Sequence, residues 1–269
     1  MMGKSSAAHG QLKEALRTSG GDADVFVGIL RKEQIRHLSF SQITTLEFCE
    51  RRYQLQYIEM QALEPTPTYF IKGKAMHEMI AETYRGMQNG NGSTTPVPNG
   101  HIPDEMDLEN KKHLTNAYLV HQDNLWMGYT VAAVEHPFMM EMEDGLLPIV
   151  GVIDLVLRQN GDFTLVDHKT GRGFYPYDAL QVAIYAKHIE DAHAGKSCRL
   201  FYDHYRWVNN LTRIRKPAFQ RTEVDAQTGK WGTYLERIKA GAVQIERLRK
   251  DGTATRNGKC YMCPYRGMC

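Results

Sequence analysis

The chain has 269 residues, 42% of them hydrophobic and 24% charged, enough to bury the core of one large domain or of a domain with an elaboration. No apolar run approaches the ~18 residues that span a bilayer, and the first residues lack a signal-peptide pattern, so a soluble cytoplasmic protein with no membrane contact is expected. The net charge of +2 divides unevenly: residues 196–269 hold 16 Lys/Arg against 6 Asp/Glu, a balance that suits a polyanionic partner, although a solvated helix face also explains such runs.

Residues 1–37 are polar, open on a Ser/Ala/Gly-rich stretch and contain Gly20 and Gly21, so they read as a mobile N-terminal arm with at most one short helix around Gln11 to Arg17. From Leu38 the segment LSFSQITTLEFCERRYQLQYI spaces Ile43, Leu46, Phe48, Tyr53, Leu55, Tyr57 and Ile58 as a helix would, entered at Ser39 or Ser41 and with Cys49 inside it. A second helix, IKGKAMHEMIAETYRGMQ, puts Gly73, His77 and Tyr84 near one face. An isolated histidine there is more often satisfied by a hydrogen bond than by a metal.

Residues 89–104 are dense in Gly, Asn and Pro and form a loop. A long helix follows, EMDLENKKHLTNAYLVHQDNLW, with Leu108, Leu114, Tyr118, Leu119 and Trp126 as core candidates. The strand YTVAAVEHPFMMEM then carries Glu135, either a third carboxylate over a site or a solvent-facing strand residue.

The segment PIVGVIDLVLRQNGDFTLVDHKTG, Pro148 to Gly171, reads as a hairpin of two apolar strands with a polar turn at Arg158 to Asp162. Asp154 interrupts the first strand, and Asp167 and Lys169 the second. Alternation puts 167 and 169 on one face, with His168 pointing away. If the register sets Asp154 beside Asp167, the two carboxylates repel unless a cation lies between them. Such hard oxygen ligands suit Mg²⁺ or Mn²⁺, with the ammonium holding or polarising a water, which is the chemistry of metal-assisted hydrolysis. A buried Asp-Lys ion pair at a strand end fits the same spacing.

After a turn through Gly171, Gly173 and Tyr175–Pro176–Tyr177, Asp178 caps the helix DALQVAIYAKHIE, where Gln181 and Tyr185 face the same way. A glutamine among Val182, Ala183 and Ile184 suggests a hydrogen-bonding role toward phosphate, water or Lys169, or else a helix edge. CRLFYDHYRWV is a further strand of the sheet, followed by a short basic strand near Leu211 to Phe219. There, aromatics interleaved with Arg206, Arg213 and Arg215 either stack on bases or pack the sheet. A basic amphipathic helix runs from about Ala226 to Lys250.

Five cysteines without an export signal argue against a disulfide framework. Cys260, Cys263 and Cys269 give C-x2-C-x5-C, and the fourth ligand of a soft metal is most simply Cys49. A [4Fe-4S] cluster and tetrahedral Zn²⁺ both fit, and either would staple the two ends of the chain. Cys198, in a strand, is read as packing.

Taken in order over residues 39–269, these motifs resemble the PD-(D/E)xK nuclease superfamily, and within it the RecB-type and CRISPR-adaptation-like exonucleases with an iron-sulfur cluster. SFSQITTLEFCERRY is similar to the first cysteine helix, GKAMHE to the histidine motif, and GVIDLVL, LVDHKTG and QVAIY to the G-x-x-D, D-x-K and Q-x-x-x-Y motifs, before the closing cysteine triplet. The resemblance implies an α/β, restriction-endonuclease-like mixed central sheet flanked by helices over residues 38–269, with a helical lobe stapled by the cluster. It implies a Mg²⁺- or Mn²⁺-dependent deoxyribonuclease, an exonuclease on single-stranded DNA or DNA ends, with a non-cutting DNA-end-binding recombination or repair subunit as the alternative. His77, Asp154, Asp167 and the His168 carbonyl would hold the ion, Lys169 would orient the attacking water, and Gln181 and Tyr185 would position the lysine and the DNA backbone. Cys49, Cys260, Cys263 and Cys269 would hold the cluster, and Glu135 matches a less regular acid. The third motif carries Asp167 where Glu is commoner. DNA is the implied partner, and a helicase or recombinase partner stays open.

Overall fold

The computed structural model describes residues 2–63, 65–90, 101–142, 145–174, 178–194, 196–213, 215–225, 230–258 and 260–268, leaving aside the side chains of residues 2–6 and 260. In chain order the α-helices are α1 (Met2–Ser19), α2 (Ala23–Lys32), α3 (Phe40–Phe48), α4 (Glu50–Tyr53), α5 (Thr68–Gln88), α6 (Leu108–Gln122), α7 (Ala179–Ala192) and α8 (Trp231–Asp251). The strands are β1 (Thr130–Met140), β2 (Ile149–Gln159), β3 (Asp162–Gly171), β4 (Cys198–Arg206) and β5 (Phe219–Glu223). They form one sheet in the order β1-β2-β3-β4-β5. Pairing of β2 with β3 and of β4 with β5 is antiparallel, and that of β3 with β4 is parallel. This is the mixed α/β architecture expected. The chain divides into two compact units, one of residues 1–66, 137–151 and 227–269, the other of residues 67–136 and 152–226.

In the second unit the β2–β3 hairpin turns on Asn160 and Gly161, both left-handed at φ 54 and 89. Such a two-residue turn matches the twist of the flanking strands and fixes their register. Leu155 and Leu157 of β2, Val166 of β3 and Phe201 of β4 pack with Met76, Met79 and Ile80 of α5 and with Leu114 and Tyr118 of α6. The parallel β3–β4 connection needs a crossover, which α7 supplies; the Asp178 carboxylate caps it by accepting from Leu180 N.

The first unit departs from the sequence reading at its start. Instead of a mobile arm with at most one short helix, residues 2–32 form α1 and α2, which bury Leu12, Ala15, Phe26 and Leu30 with Ile35 and Val150. The apolar residues are few but helically spaced, and Asp22 caps α2 by accepting from Val25 N. The next segment is not one helix. Ser39 caps α3 as expected, but Cys49 is extended at φ −169 and ψ 122 and separates α3 from α4, which continues as a π-helical turn, Gln54–Ile58. Partners distant in sequence explain the break. Asn257 Nδ2 donates to Phe48 O, Arg51 N donates to Thr255 O, and the Glu50 carboxylate accepts from Thr255 N and Oγ1.

Three smaller expectations also change. Helix α6 ends at Gln122, and although Leu114, Tyr118 and Trp126 are buried, Leu108 and Leu119 are exposed: Leu108 is the first helical residue, beyond the packed face. The basic strand near 211–219 is a 3₁₀ turn, Leu211–Arg213, with β5 starting only at Phe219, after Pro217, whose missing N–H cannot join a ladder. Helix α8 begins at Trp231 and ends at Asp251, capped by Gly252 in left-handed conformation. Residues 91–100 of the Gly/Asn/Pro loop, Tyr175–Tyr177 and the start of the expected last helix at 226–229 lie outside the described residues. No helix among the described residues is long and apolar enough to cross a membrane.

Candidate metal and active site

The hairpin builds the site. Its ladder pairs Leu155 with Val166, and one further step in that register sets Asp154 opposite Asp167, the condition that the sequence left open. Asp154 Oδ2 accepts the His168 backbone N–H at 2.7 Å, which fixes the carboxylate against the neighbouring strand. Helix α5 brings His77 to the same place, with Nδ1 at 3.5 Å from Asp154 Oδ2. Strand β1 brings Glu135, which holds left-handed backbone at φ 48, a conformation costing on the order of 1–3 kcal/mol for a residue with a Cβ. One ligand atom from each of His77, Glu135 and Asp154 lies within 4.8 Å of the others.

Burial pushes the Asp154 carboxyl up to about 6; His77 opposes the rise and the Asp167 charge adds to it. An acid that is costly to ionise in its own fold becomes favourable when a cation replaces the missing solvation. Opposite ligands of a small divalent ion at roughly 2.0–2.2 Å stand about 4–4.4 Å apart, so the three groups need close only slightly. One imidazole and two carboxylates form an oxygen-rich set that fits a hard divalent cation.

Asp167 stands beside this trio but outside it. It is 2% exposed, and its Oδ1 accepts from Gln181 Nε2 at 2.6 Å and from Tyr185 Oη at 3.5 Å. The Lys169 ammonium lies 2.6 Å from its Oδ2, as an ion-pair contact without regular hydrogen-bond geometry. Lys169 Nζ also donates to Gln181 Oε1 at 2.9 Å and sits 5.6 Å from the Tyr202 ring centre. Gln181 thus clamps both groups, with its amide oxygen on the ammonium and its amide nitrogen on the carboxylate and on Tyr185 Oη at 2.8 Å. The hydrogen-bonding role open to Gln181 is the one observed.

The His168 ring points away from the site, as alternation requires, and is buried. It stacks on Tyr84 with 6.3 Å between ring centres and meets His121 and Tyr205 edge-on or tilted. Burial holds His168 well below the usual histidine range and His121 at about 3, which favours neutral rings that support β3 by packing. His121 Nδ1 lies 2.9 Å from Tyr205 Oη.

The sequence reading missed this aromatic shelf and a second cluster next to it. Arg221 on β5 donates two bonds of 2.7 Å to the Asp203 carboxylate on β4, and Trp126 Nε1 adds a third at 3.0 Å. The guanidinium lies 3.7 Å over the Trp126 ring. An acid flanked by apolar residues in LFYDHYR was the available signal.

Among the cysteines, Cys49 and Cys263 are buried, and Cys263 packs with Leu55 and Tyr265 against Phe48 and Leu63. The Phe48–Arg51 segment is bonded to Thr255 and Asn257, so the Cys49 turn and the C-terminal stretch meet. Cys198 is half-buried on β4, and burial pushes its thiol up to about 12, consistent with packing alone. Cys269 and the Cys260 thiol lie outside the described residues.

A mixed sheet with carboxylates on adjacent strands, a lysine two residues beyond the second and a glutamine-tyrosine helix holding that lysine carries the groups that cation-assisted hydrolysis requires. The chain belongs to the PD-(D/E)XK nuclease superfamily, whose family model matches residues 37–269. Among solved structures it is similar to one from Eubacterium rectale named "Putative exonuclease", with a TM-score of 0.55 and 12% identity, covering 85% of this chain and 87% of that one. At that identity the likeness concerns the fold. The structure of SSO0001 matches with a TM-score of 0.36 and 13% identity over 77% of this chain and 98% of that one. No curated protein matches the sequence.

Proposed function

We propose that the protein is a Mg²⁺- or Mn²⁺-dependent deoxyribonuclease that degrades DNA from single-stranded ends. The observation that carries this reading is the convergence of His77, Glu135 and Asp154 within 4.8 Å, beside a lysine clamped to Asp167. His77, Asp154 and Glu135 would hold the ion, with Asp167 and the His168 carbonyl at its edge. When bound, such an ion offsets phosphate charge and lowers the pKa of a coordinated water. Lys169, held by Asp167 and Gln181, places one N–H toward the attacking oxygen and stabilises the charge that develops on the phosphorus oxygens. The water oxygen forms the new P–O bond, its proton leaves to solvent, and the departing ester oxygen takes a proton in turn. Tyr185 and Gln181 keep Asp167 from reorienting during that step.

The test is degradation of linear and circular single-stranded DNA with Mn²⁺ and with EDTA. Loss of the linear form alone, abolished by EDTA, is the expected result. Cutting of circles makes the protein an endonuclease, and no cutting of either leaves a DNA-end-binding recombination or repair subunit.

The same reading extends to Cys49, Cys260, Cys263 and Cys269 as ligands of a [4Fe-4S] cluster, with structural Zn²⁺ as the alternative. The burial of Cys49 and Cys263 and the bonds joining residues 48–51 to 255–257 support it. Anaerobically purified protein is expected to be brown with iron and sulfide in equal amounts, whereas a colourless preparation carrying zinc would replace the cluster by the single ion.

A further inference from the structure

We propose that Tyr69 and Phe70 form a stacking platform for the unpaired bases of a single-stranded DNA end that leads into the cation site; this rests on the nuclease reading. Both rings lie in the first turn of α5, with Tyr69 55% and Phe70 45% exposed and ring centres 4.5 Å apart. Two large aromatics left side by side in water lack the burial that such rings usually gain from packing.

Their place on the helix ties them to the site. Phe70 precedes His77 by seven residues, so the two lie on one face about 10 Å apart. That span corresponds to about three stacked nucleotides at 3.4 Å per strand step, and to fewer in an extended strand. Positive charge lies alongside. Lys72, three residues after Tyr69, is buried, with its ammonium 3.3 Å from His113 Nδ1 and 4.8 Å from the Trp207 ring centre; the Asp107 and Glu109 charges act on it, and it has no ion pair within 4.0 Å among the described residues. Arg172, exposed and three residues beyond Lys169, has none either, and its charge reaches both Lys72 and His113.

Aromatic faces near the exposed Arg172 cation, continuous with a cation site on the same helix, match a strand whose bases are free to stack and whose phosphates are unshielded. A duplex has its base faces already stacked and offers only phosphates. The platform therefore favours unpaired ends without reading sequence.

Full-length protein is titrated in EDTA with fluorescent oligo(dT) and with a duplex of equal length, and Mn²⁺-dependent cutting is followed in parallel. The double variant Tyr69→Ala/Phe70→Ala is expected to bind oligo(dT) about tenfold or more weakly, with a smaller change for duplex. Leu108→Ala, which removes a 70% exposed side chain from α6, leaves both affinities as they were. Phe70→Trp retains binding and adds, to the emission of the three native tryptophans, an indole signal that oligo(dT) quenches beyond the quenching seen in the wild type. Oligo(dT) affinity unchanged in the double variant, or a Phe70→Trp emission that oligo(dT) quenches no more than the wild type's, overturns the platform, and with wild-type cutting present it leaves the nuclease reading standing. Ring-dependent binding without cutting upholds the platform and overturns the nuclease reading. Equal loss for single strand and duplex also overturns the platform.

Discussion

Lys169→Ala is expected to cut DNA at least about 10²-fold more slowly than the wild type, with the deficit in the chemical step. The ammonium is placed by two partners, Asp167 Oδ2 at 2.6 Å and Gln181 Oε1 at 2.9 Å, so its position does not depend on substrate. A preorganised donor costs no reorganisation when charge develops on the phosphate, and this is where a lysine contributes most. Its removal also strips a 2% exposed carboxylate of its counter-charge, so part of the loss reflects Asp167 reorienting. Gln181→Leu separates the two effects. It keeps the ammonium and removes the clamp, and it should give a smaller loss, on the order of tenfold to a hundredfold, as groups that orient a reacting residue do. Single-turnover cutting with saturating Mn²⁺ reads both variants, and a Lys169→Ala rate within twofold of wild type contradicts the assigned role.

Arg221→Ala is expected to lose about 3–5 kcal/mol of folding stability, since it leaves the fully buried Asp203 without its bidentate partner. Burial already raises the Asp203 carboxyl, and Arg221 and Trp126 oppose the rise. Without the guanidinium the carboxyl rises further, and the folded state then takes up a proton that the unfolded chain releases. The pH dependence has a definite sign. A raised acid favours the folded state at low pH and opposes it at high pH, so the loss is greatest at alkaline pH and shrinks as the pH falls. Arg221→Lys recovers little, because an ammonium cannot make both parallel bonds or cover the Trp126 ring at 3.7 Å. Denaturant unfolding at two pH values measures this. A loss under about 1 kcal/mol at neutral pH would mean that solvent reaches Asp203 once the arginine is gone.

The hairpin was legible because its signals are local. Asn160-Gly161 dictates the turn and the register, and period-2 alternation then places Asp154, Asp167 and Lys169 together and sends His168 inward. Gln181 and Tyr185 were likewise paired by helical spacing. Spacing alone could not bring His77 to Asp154, since that depends on how α5 packs on the sheet, and the family resemblance supplied it. Glu135 was harder still. Alternation cannot be followed through left-handed backbone at φ 48, so the face it shares with His77 and Asp154 was hidden. The interruption of the expected first long helix at Cys49 is set by Thr255 and Asn257, some two hundred residues away, and no local pattern records it. In the N-terminal segment mean polarity masks two helices, in which Leu12 with Ala15 and Phe26 with Leu30 are spaced to bury one face each.

The central claim is that a divalent cation is gripped by side chains from α5, β1 and β2, and Mn²⁺ soaked into crystals reports its place directly through anomalous scattering. One manganese peak is expected, bounded by His77, Glu135 and Asp154, told apart from cluster iron by data on either side of the manganese edge and lost in Asp154→Asn together with DNA cutting. A manganese peak elsewhere, or Mn²⁺-dependent cutting that survives in Asp154→Asn, would contradict that place for the ion.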